Sequence, residues 1–427
     1  MTRSWRMTFG AALTAAAAAV AAWLPAASAA PAAPTALPFA PVDAATVGKF
    51  KLDPGTTFAD YGKALTAVEK NPAVAVRNAT QVLTSGGRTG SAGLCHGTGL
   101  KASLSPGGFC WDKADDTSNS YTTAGGWTPQ GLTGSYDAKP DGLWDGRKAF
   151  AASWHFSRGM GTPGAVANEF ARVSLVNADG GAIRYNHLLL ARPTLDANGN
   201  GNFTAAQWTH ADGVVWYGTK LFVANGRYLQ VYDLAHIWKV NSSTEAVGIS
   251  GSTSSARWSN YALPMIGQYQ TTAGTAACTV VTGTTPCLNS LSLDRSGADA
   301  LVSAEYKPGA AGGRVVRWAL DESTGLPKGG ATAAYSSPVW AMQGAATDGD
   351  RWWLAGDCPS GTGGGSGDAL PYSCIHYARP GAPPHVLTTA PVLTQNLGYG
   401  PADGRLYGIN ERINSTSGIR VAFWIKP

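Results

Sequence analysis

The sequence predicts an all-β chain in which one antiparallel unit of strands is written five times behind a short helical N-terminal segment. Three observations carry that reading. The stretch HADGVVWYGTKLFVANGRYLQVYDL, residues 210 to 234, packs three strand-like runs separated by Gly218-Thr219 and Asn225-Gly226, and Asn-Gly is a strong hairpin signal because a two-residue turn there needs φ > 0. The same pattern, a polar residue opening a first strand with two more strands behind it, recurs along the chain. Gly fills 54 of the 427 positions and charged residues make up only 14%, which suits many tight turns and few long helices.

Taken from the N-terminus, residues 1–29 read as a signal peptide: Arg3 and Arg6 give a basic start, an Ala-rich apolar stretch follows, and Ala27-Ser28-Ala29 is an A-x-A cleavage site. Residues 30–44 form a Pro/Ala-rich lead expected to stay extended. Residues 45–110 form an N-terminal segment, helical over 57–84 with a break near Pro72, then Gly-rich and Cys-stapled. No other apolar run approaches the about 20 residues of a membrane helix, so a soluble, secreted, monomeric protein is expected. Losing Arg3 and Arg6 leaves 30 basic against 27 acidic residues, and without a long basic cluster a nucleic-acid partner is not expected. Six cysteines in an exported chain favour disulfides. Their spacing suggests Cys95–Cys110, Cys278–Cys287 and Cys358–Cys374, although other connectivities are open, and without a C-x-x-C pair zinc is a poor reading.

Residues 111–427 hold the repeat. First strands open at Gln130, Asp212, Asn289, Gln343 and Asn396. Second strands follow as KAFAASWH, KLFVAN, ALVSAE, RWWLAGD and RLYGINE, and third strands as ARVSLV, RYLQVYDL, GRVVRWAL, SCIHYA and IRVAFWI. Four units add a fourth strand, RYNHLLLARP, YALPMIGQYQ, ATAAYSSPVW and HVLTTAP. The fifth ends at its third strand, so its missing partner is expected from residues 105 to 125, joining the two ends of the chain. Four-stranded units repeated about an axis make a propeller, with an open β-sandwich as the rival fold.

In this pattern, over about residues 125–427, the chain resembles the secreted bacterial five-bladed β-propellers. The resemblance is at the level of fold and implies no particular activity, because propellers host binding proteins, lyases, hydrolases and oxidoreductases alike.

In each unit the first strand starts at the sheet edge where the second ends, which makes neighbours, roughly 5 Å apart, of two polar positions. The pairs are Gln130 with His155, Asp212 with Asn225, Asn289 with Glu305, Gln343 with Asp357, and Asn396 with Glu411. With first strands innermost, all ten ring one mouth of a central channel. Asp212, Glu305, Asp357 and Glu411, with His155 and His210 beside them, are the catalytic candidates, since carboxylates facing one another raise each other's pKa as a general acid requires. Five-bladed glycosidases are similar in placing acids on inner strands around a glycan-binding mouth. Gln130, Asn225, Asn289, Gln343 and Asn396 are the ligand-binding candidates. Trp127, Trp154, Trp216, Trp352 and Trp353 could offer sugar platforms but are expected mostly in the core.

The segment LDANGNGNFTAAQ, residues 195–207, places Asp196, Asn198, Asn200 and Asn202 where a calcium loop has ligands, but lacks the closing bidentate Glu. Calcium is the one candidate cofactor. His187 is expected to be a satisfied strand histidine, and the sequons at Asn78, Asn202, Asn241 and Asn414 are expected to stay unglycosylated. No G-x-S-x-G, H-E-x-x-H or P-loop occurs. Two functions remain: an exported propeller binding an extracellular small molecule, glycan or cell-wall component, or a carbohydrate-active hydrolase or lyase using the channel-mouth carboxylates.

Overall fold

In the computed structural model, residues 37–362, 366, 370–412 and 419–427 are described. The signal peptide, residues 30–36 of the Pro/Ala lead, Asn414 and most of the Gly-rich stretch 361–367 lie outside them. The chain is mostly β and its sheets take a propeller-like arrangement.

Each expected unit pairs antiparallel in sequence order. The first comprises Gly126–Gly134, Ala149–Arg158, Val166–Asn177 and Ile183–Leu195. The second comprises Gly213–Tyr217, Lys220–Asn225, Tyr228–Asp233 and Tyr261–Gln270. Leu291–Asp294, Ala300–Ala304, Arg314–Asp321 and Leu326–Ser336 form the third, and Gly344–Thr347, Trp352–Gly356, Ser373–Ala378 and His385–Ala390 the fourth. In the last, Thr394–Gly400, Arg405–Asn410 and Val421–Ile425 are followed by Gly107–Cys110 from upstream. The upstream strand therefore lies where the truncated last unit requires it.

Of the two expected hairpin turns, Gly218-Thr219 forms as read and the second is shifted by one residue. Asn225 pairs with Tyr228 as the last strand residue, so the turn is Gly226-Arg227 with φ +58° at Gly226. Positive φ at the first central residue alone is the II′ pattern, and Gly218-Thr219 repeats it with φ +57° at Gly218.

Glycine explains how closely the inner strands meet. A Cβ on Gly131 would stand 2.9 Å from Val214 N, one on Gly213 2.3 Å from Leu291 N, and one on Gly344 2.8 Å from Asn396 Cα. Only glycine lets these backbones touch. The ring is completed by side chains: Ser292 Oγ donates to Ala345 O at 2.7 Å, and Leu132 N donates to Asn396 Oδ1 at 2.6 Å. Asn396 Nδ2 also donates to Leu132 O at 3.2 Å and Leu291 O at 3.0 Å, spanning from the last unit to the first and the third. The axis is thus bridged at this level, and the polar residues one position earlier stand above a floor.

Apolar alternation fills the space between units. Trp154, Trp216, Trp318 and Trp353 are fully buried, each contributing roughly 1.5–3 kcal/mol by leaving water. Outer edges are covered by pairing across units: Ile183–Leu195 runs parallel to Tyr261–Gln270 and antiparallel to Arg88–Ala92. The end of the lead is not simply extended, because Ala40–Pro41 adds to the edge strand Leu326–Ser336 and Asp43 caps the short helix Ala44–Val47. The expected helical stretch divides into Thr57–Glu69, ending before Pro72, and Ala79–Leu83, which starts in an Asn78–Gln81 capping box. Strand Ala75–Arg77 lies between them. Disulfides join Cys95–Cys110, Cys278–Cys287 and Cys358–Cys374.

Candidate functional site

The floor sets which polar residues face the mouth. In the first, second and fourth units the opening residue precedes the axial glycine: Gln130 before Gly131, Asp212 before Gly213, Gln343 before Gly344. In the last unit Asn396 occupies the axial position, so Gln395 is the mouth residue and Asn396 is structural. Sequence alignment alone chose the wrong member of Gln395-Asn396. The signal that separates them is the missing glycine.

The cluster on this mouth is built around two stacked imidazoles. His155 and His210 lie with ring centroids 4.3 Å apart. Their strands bring them together: His155 sits opposite Thr128 on the innermost strand, and a bulge at Gln130 shifts it from its expected partner. His210 enters just before the second unit, where Ala211 is at φ +59° and its carbonyl accepts from Ser153 Oγ at 2.9 Å, pinning the kink. His210 Nδ1 lies 3.0 Å from Asp212 Oδ1, and its backbone N donates to Asn225 Oδ1 at 3.0 Å.

The two rings titrate in opposite directions. Burial, then the neighbouring His210 and Arg420, holds His155 well below the ordinary histidine pKa. Burial also works against the His210 cation, but the bonded Asp212 carboxylate and Glu411 outweigh it and raise its pKa. The pair therefore favours the neutral form at His155 and the protonated form at His210. His155 Nδ1 meets Ser157 Oγ at 3.1 Å, whereas its Nε2 is buried with no partner among the described residues.

Glu411 completes the cluster. Burial raises its pKa, opposed by His210 and by hydrogen bonding from Gln130. Gln395 Nε2 donates to its Oε2 at 2.8 Å. Asp357 is likewise raised by burial. Tyr306, which the sequence reading passed over, senses both acids, and its own pKa is raised by burial and then by them. Arg420 is another omission: nearly fully buried, it donates from Nε to Glu411 O at 3.1 Å and leaves Nη2 unpartnered among the described residues.

Glu305 is placed differently. Its Oε2 accepts from Val281 N at 2.8 Å, Arg314 N at 3.0 Å and Arg314 Nε at 2.9 Å, while Oε1 accepts from Cys287 N at 3.1 Å and Arg314 Nη2 at 2.6 Å. Five donors saturate a carboxylate, so Glu305 anchors the loop of the Cys278–Cys287 disulfide. Asn289 Oδ1 accepts from Tyr306 N at 3.2 Å, which ties it to the same edge.

The Asn/Gly loop folds around its acid. Asp196 Oδ1 accepts from Asn198 N at 2.9 Å and Asn200 N at 2.8 Å, and Oδ2 accepts from Asn200 Nδ2 at 2.9 Å. Asn202 turns away to bond Ile249 N and O, at 2.7 and 3.0 Å. Among the suggested tryptophans, Trp154, Trp216, Trp352 and Trp353 are core, and Trp127 is buried with one edge on a neighbouring pocket. His187 is satisfied, by Ser174 Oγ at 2.9 Å and Asp115 Oδ2 at 3.0 Å. Among the described residues no helix is long and apolar enough to cross a membrane.

No protein-family model and no curated protein matches the sequence. Among solved structures, the chain is similar to a gluconolactonase from Xanthomonas campestris, at 11% identity over 79% of this chain and 97% of that one, TM-score 0.30. It is similar to PhoX from Pseudomonas fluorescens at 8% identity over 89% and 98%, TM-score 0.33, and to the Pan2 WD40 domain of Neurospora crassa at 9% over 73% and 97%, TM-score 0.22. At these TM-scores and identities the likenesses carry no statement of activity.

Proposed function

We propose that the chain is an exported five-bladed β-propeller, with residues 111–427 as its propeller domain, that binds an extracellular glycan or cell-wall component in the cup at this mouth. One observation carries the reading: His155 Nε2 is buried with no partner among the described residues, set against the imidazole of His210. A neutral imidazole held there suits a ligand hydroxyl, which can serve either tautomer by donating to Nε2 or accepting from it. Gln130, Gln343 and Gln395 add amide donors and acceptors around the floor, and the His210–Asp212 pair supplies a charged donor. The protein would act as a monomer.

The test is a glycan array with a cell-wall pull-down, using wild type and His155→Gln. Saturable binding weakened about tenfold by the substitution fits the loss of one buried hydrogen bond. Folded wild type that binds neither array nor wall overturns the proposal.

A second reading, a carbohydrate-active hydrolase or lyase, is favoured by the opposed pKa shifts of His155 and His210 with Glu411 raised beside them. His210 or Glu411 would then donate a proton and His155 accept one. Polysaccharide turnover unchanged in both Glu411→Gln and Asp212→Asn would sink it.

A further inference from the structure

A second site lies beside the mouth and shares no lining residue with it. It is a cavity of about 360 Å³ between the outer half of the first unit, the segment around Asp115, and the loop at Arg257–Asn260. Arg88, Arg172 and Arg257 line it against a single lining carboxylate, Asp115.

That carboxylate is already engaged. Asp115 accepts from Arg172 Nη2 at 2.6 Å and from Tyr185 OH at 2.7 Å, and meets His187 Nε2 at 3.0 Å. Arg88 is paired with Asp112 at 2.8 Å, but Arg172 and Arg257 are not used up in return. Arg172 Nε and Arg257 Nε and Nη2 are buried and form no hydrogen bond among the described residues, although both residues are nine-tenths or more buried. Arg257 meets Glu245 at 3.4 Å and Glu169 only at 3.9 Å. Buried guanidinium N–H groups without partners are destabilising, and a carboxylate from a ligand would satisfy them.

The guanidiniums are also held rigidly by rings. Arg172 stands 4.3 Å over Trp127 and 4.9 Å over Trp154, and Arg257 stands 3.9 Å over Phe170. Beside them Trp258 is half-exposed on the cavity rim. Arg257 and Trp258 are consecutive residues in the left-handed region, at φ +45° and +59°. Such a conformation is costly for a bulky side chain and persists only when its surroundings fix it. Here Arg257 N donates to Ala246 O at 3.0 Å, Trp258 N to Thr244 O at 2.8 Å, and Ser243 Oγ to Trp258 O at 3.2 Å. An exposed indole is thereby presented above buried cations.

We propose that this cavity binds a carboxylated sugar unit, its carboxylate on the Arg172 and Arg257 N–H groups and its ring face against Trp258. Guanidinium recognises planar carboxylate through paired N–H groups, and indole offers an apolar face to pyranose C–H bonds.

The experiment titrates the full chain with sodium D-glucuronate, D-glucose and inorganic phosphate, read by calorimetry and tryptophan fluorescence. Glucuronate is expected to bind saturably, with glucose and phosphate each about tenfold weaker or more, and Trp258→Ala is expected to weaken glucuronate about tenfold. Arg257→Gln should do the same. If that variant fails to fold, Arg88→Gln, at the half-exposed end of the cavity, takes its place and should also weaken binding. Equal binding of glucose, equal binding of phosphate as a bare anion, or full affinity in Trp258→Ala overturns the proposal. Because the two sites have separate linings, such a failure leaves the reading of the mouth standing.

Discussion

Asp137 is buried three residues past the innermost strand of the first unit, at the opposite end from Gln130, and burial pushes its carboxyl pKa up to about 8 from 3.8. Thr133 Oγ1 donates to its Oδ2 at 2.7 Å, but that bond and the nearby Arg295 offset only part of the desolvation. Since the folded pKa lies above the unfolded one, the folded chain holds a proton there that the unfolded chain has released between about pH 4 and 8. Stability from this group is therefore fully present below the unfolded pKa and is lost as pH rises through the folded value. At about 1.4 kcal/mol per pKa unit, a rise from 3.8 to about 8 is worth up to about 6 kcal/mol. Asp137→Asn keeps the shape and removes the titration. Urea midpoints of both proteins from pH 4 to 9 should diverge steadily, with Asp137→Asn gaining on wild type up to about pH 8 and a constant gap above it. Parallel curves across that range would refute a protonated, buried Asp137.

The remaining predictions concern the site and its frame. Glu305→Gln should lower stability by about 3 kcal/mol or more, because it leaves the Arg314 guanidinium buried without its counter-charge; a melting temperature equal to wild type would return Glu305 to the catalytic candidates. Asp212→Asn should bring the His210 titration down toward or below 6.5 while His155 stays lower still, as read by imidazole NMR, because the carboxylate 3.0 Å away is what outweighs burial. With its folded pKa raised, His210 contributes stability at low pH that is lost as pH rises through its folded value, and that slope should shrink in the same variant. EDTA should leave thermal stability unchanged, since Asp196 already accepts three N–H donors; a calcium-dependent rise abolished by Asp196→Asn would reverse that reading and assign the loop a metal.

Strand order was legible because alternation and turn glycines are local. Lys220–Asn225, Ser373–Ala378 and Tyr261–Gln270 form over the very stretches their patterns mark, and the upstream Gly107–Cys110 was recoverable by noticing that one unit lacked a partner. The outer pairings were not legible, since Arg88–Ala92 and Ala40–Pro41 are short edge strands whose partners are chosen by the tertiary fold. The mouth was half legible. Polar openings were visible, but assigning chemistry to them required knowing which face meets the axis and which acid has already found a partner. Glu305 looks like Glu411 in sequence, each following a second strand and each with an arginine nine residues on; Arg314 pairs with the Glu305 carboxylate whereas Arg420 donates to the Glu411 backbone carbonyl, and a charge in the next strand carries no mark of its direction.

That difference gives a more general rule for this architecture. A polar residue preceding an axial glycine is left above a floor of touching backbones and can face a ligand, whereas a residue in the glycine's own position lies in the floor, where Asn396 bridges strands and Ser290 keeps its Oγ buried without a partner among the described residues. Gln130, Asp212 and Gln343 meet the first condition, and Asn396 the second. Asn396 is therefore the residue in the ring with the least freedom to bind anything else: its amide already serves the first and third units, and exchanging it for Ala would strand the Leu132 N–H and two carbonyls at the centre of the molecule. Gln395 beside it is the position where sequence change would alter what the cup recognises without opening its floor.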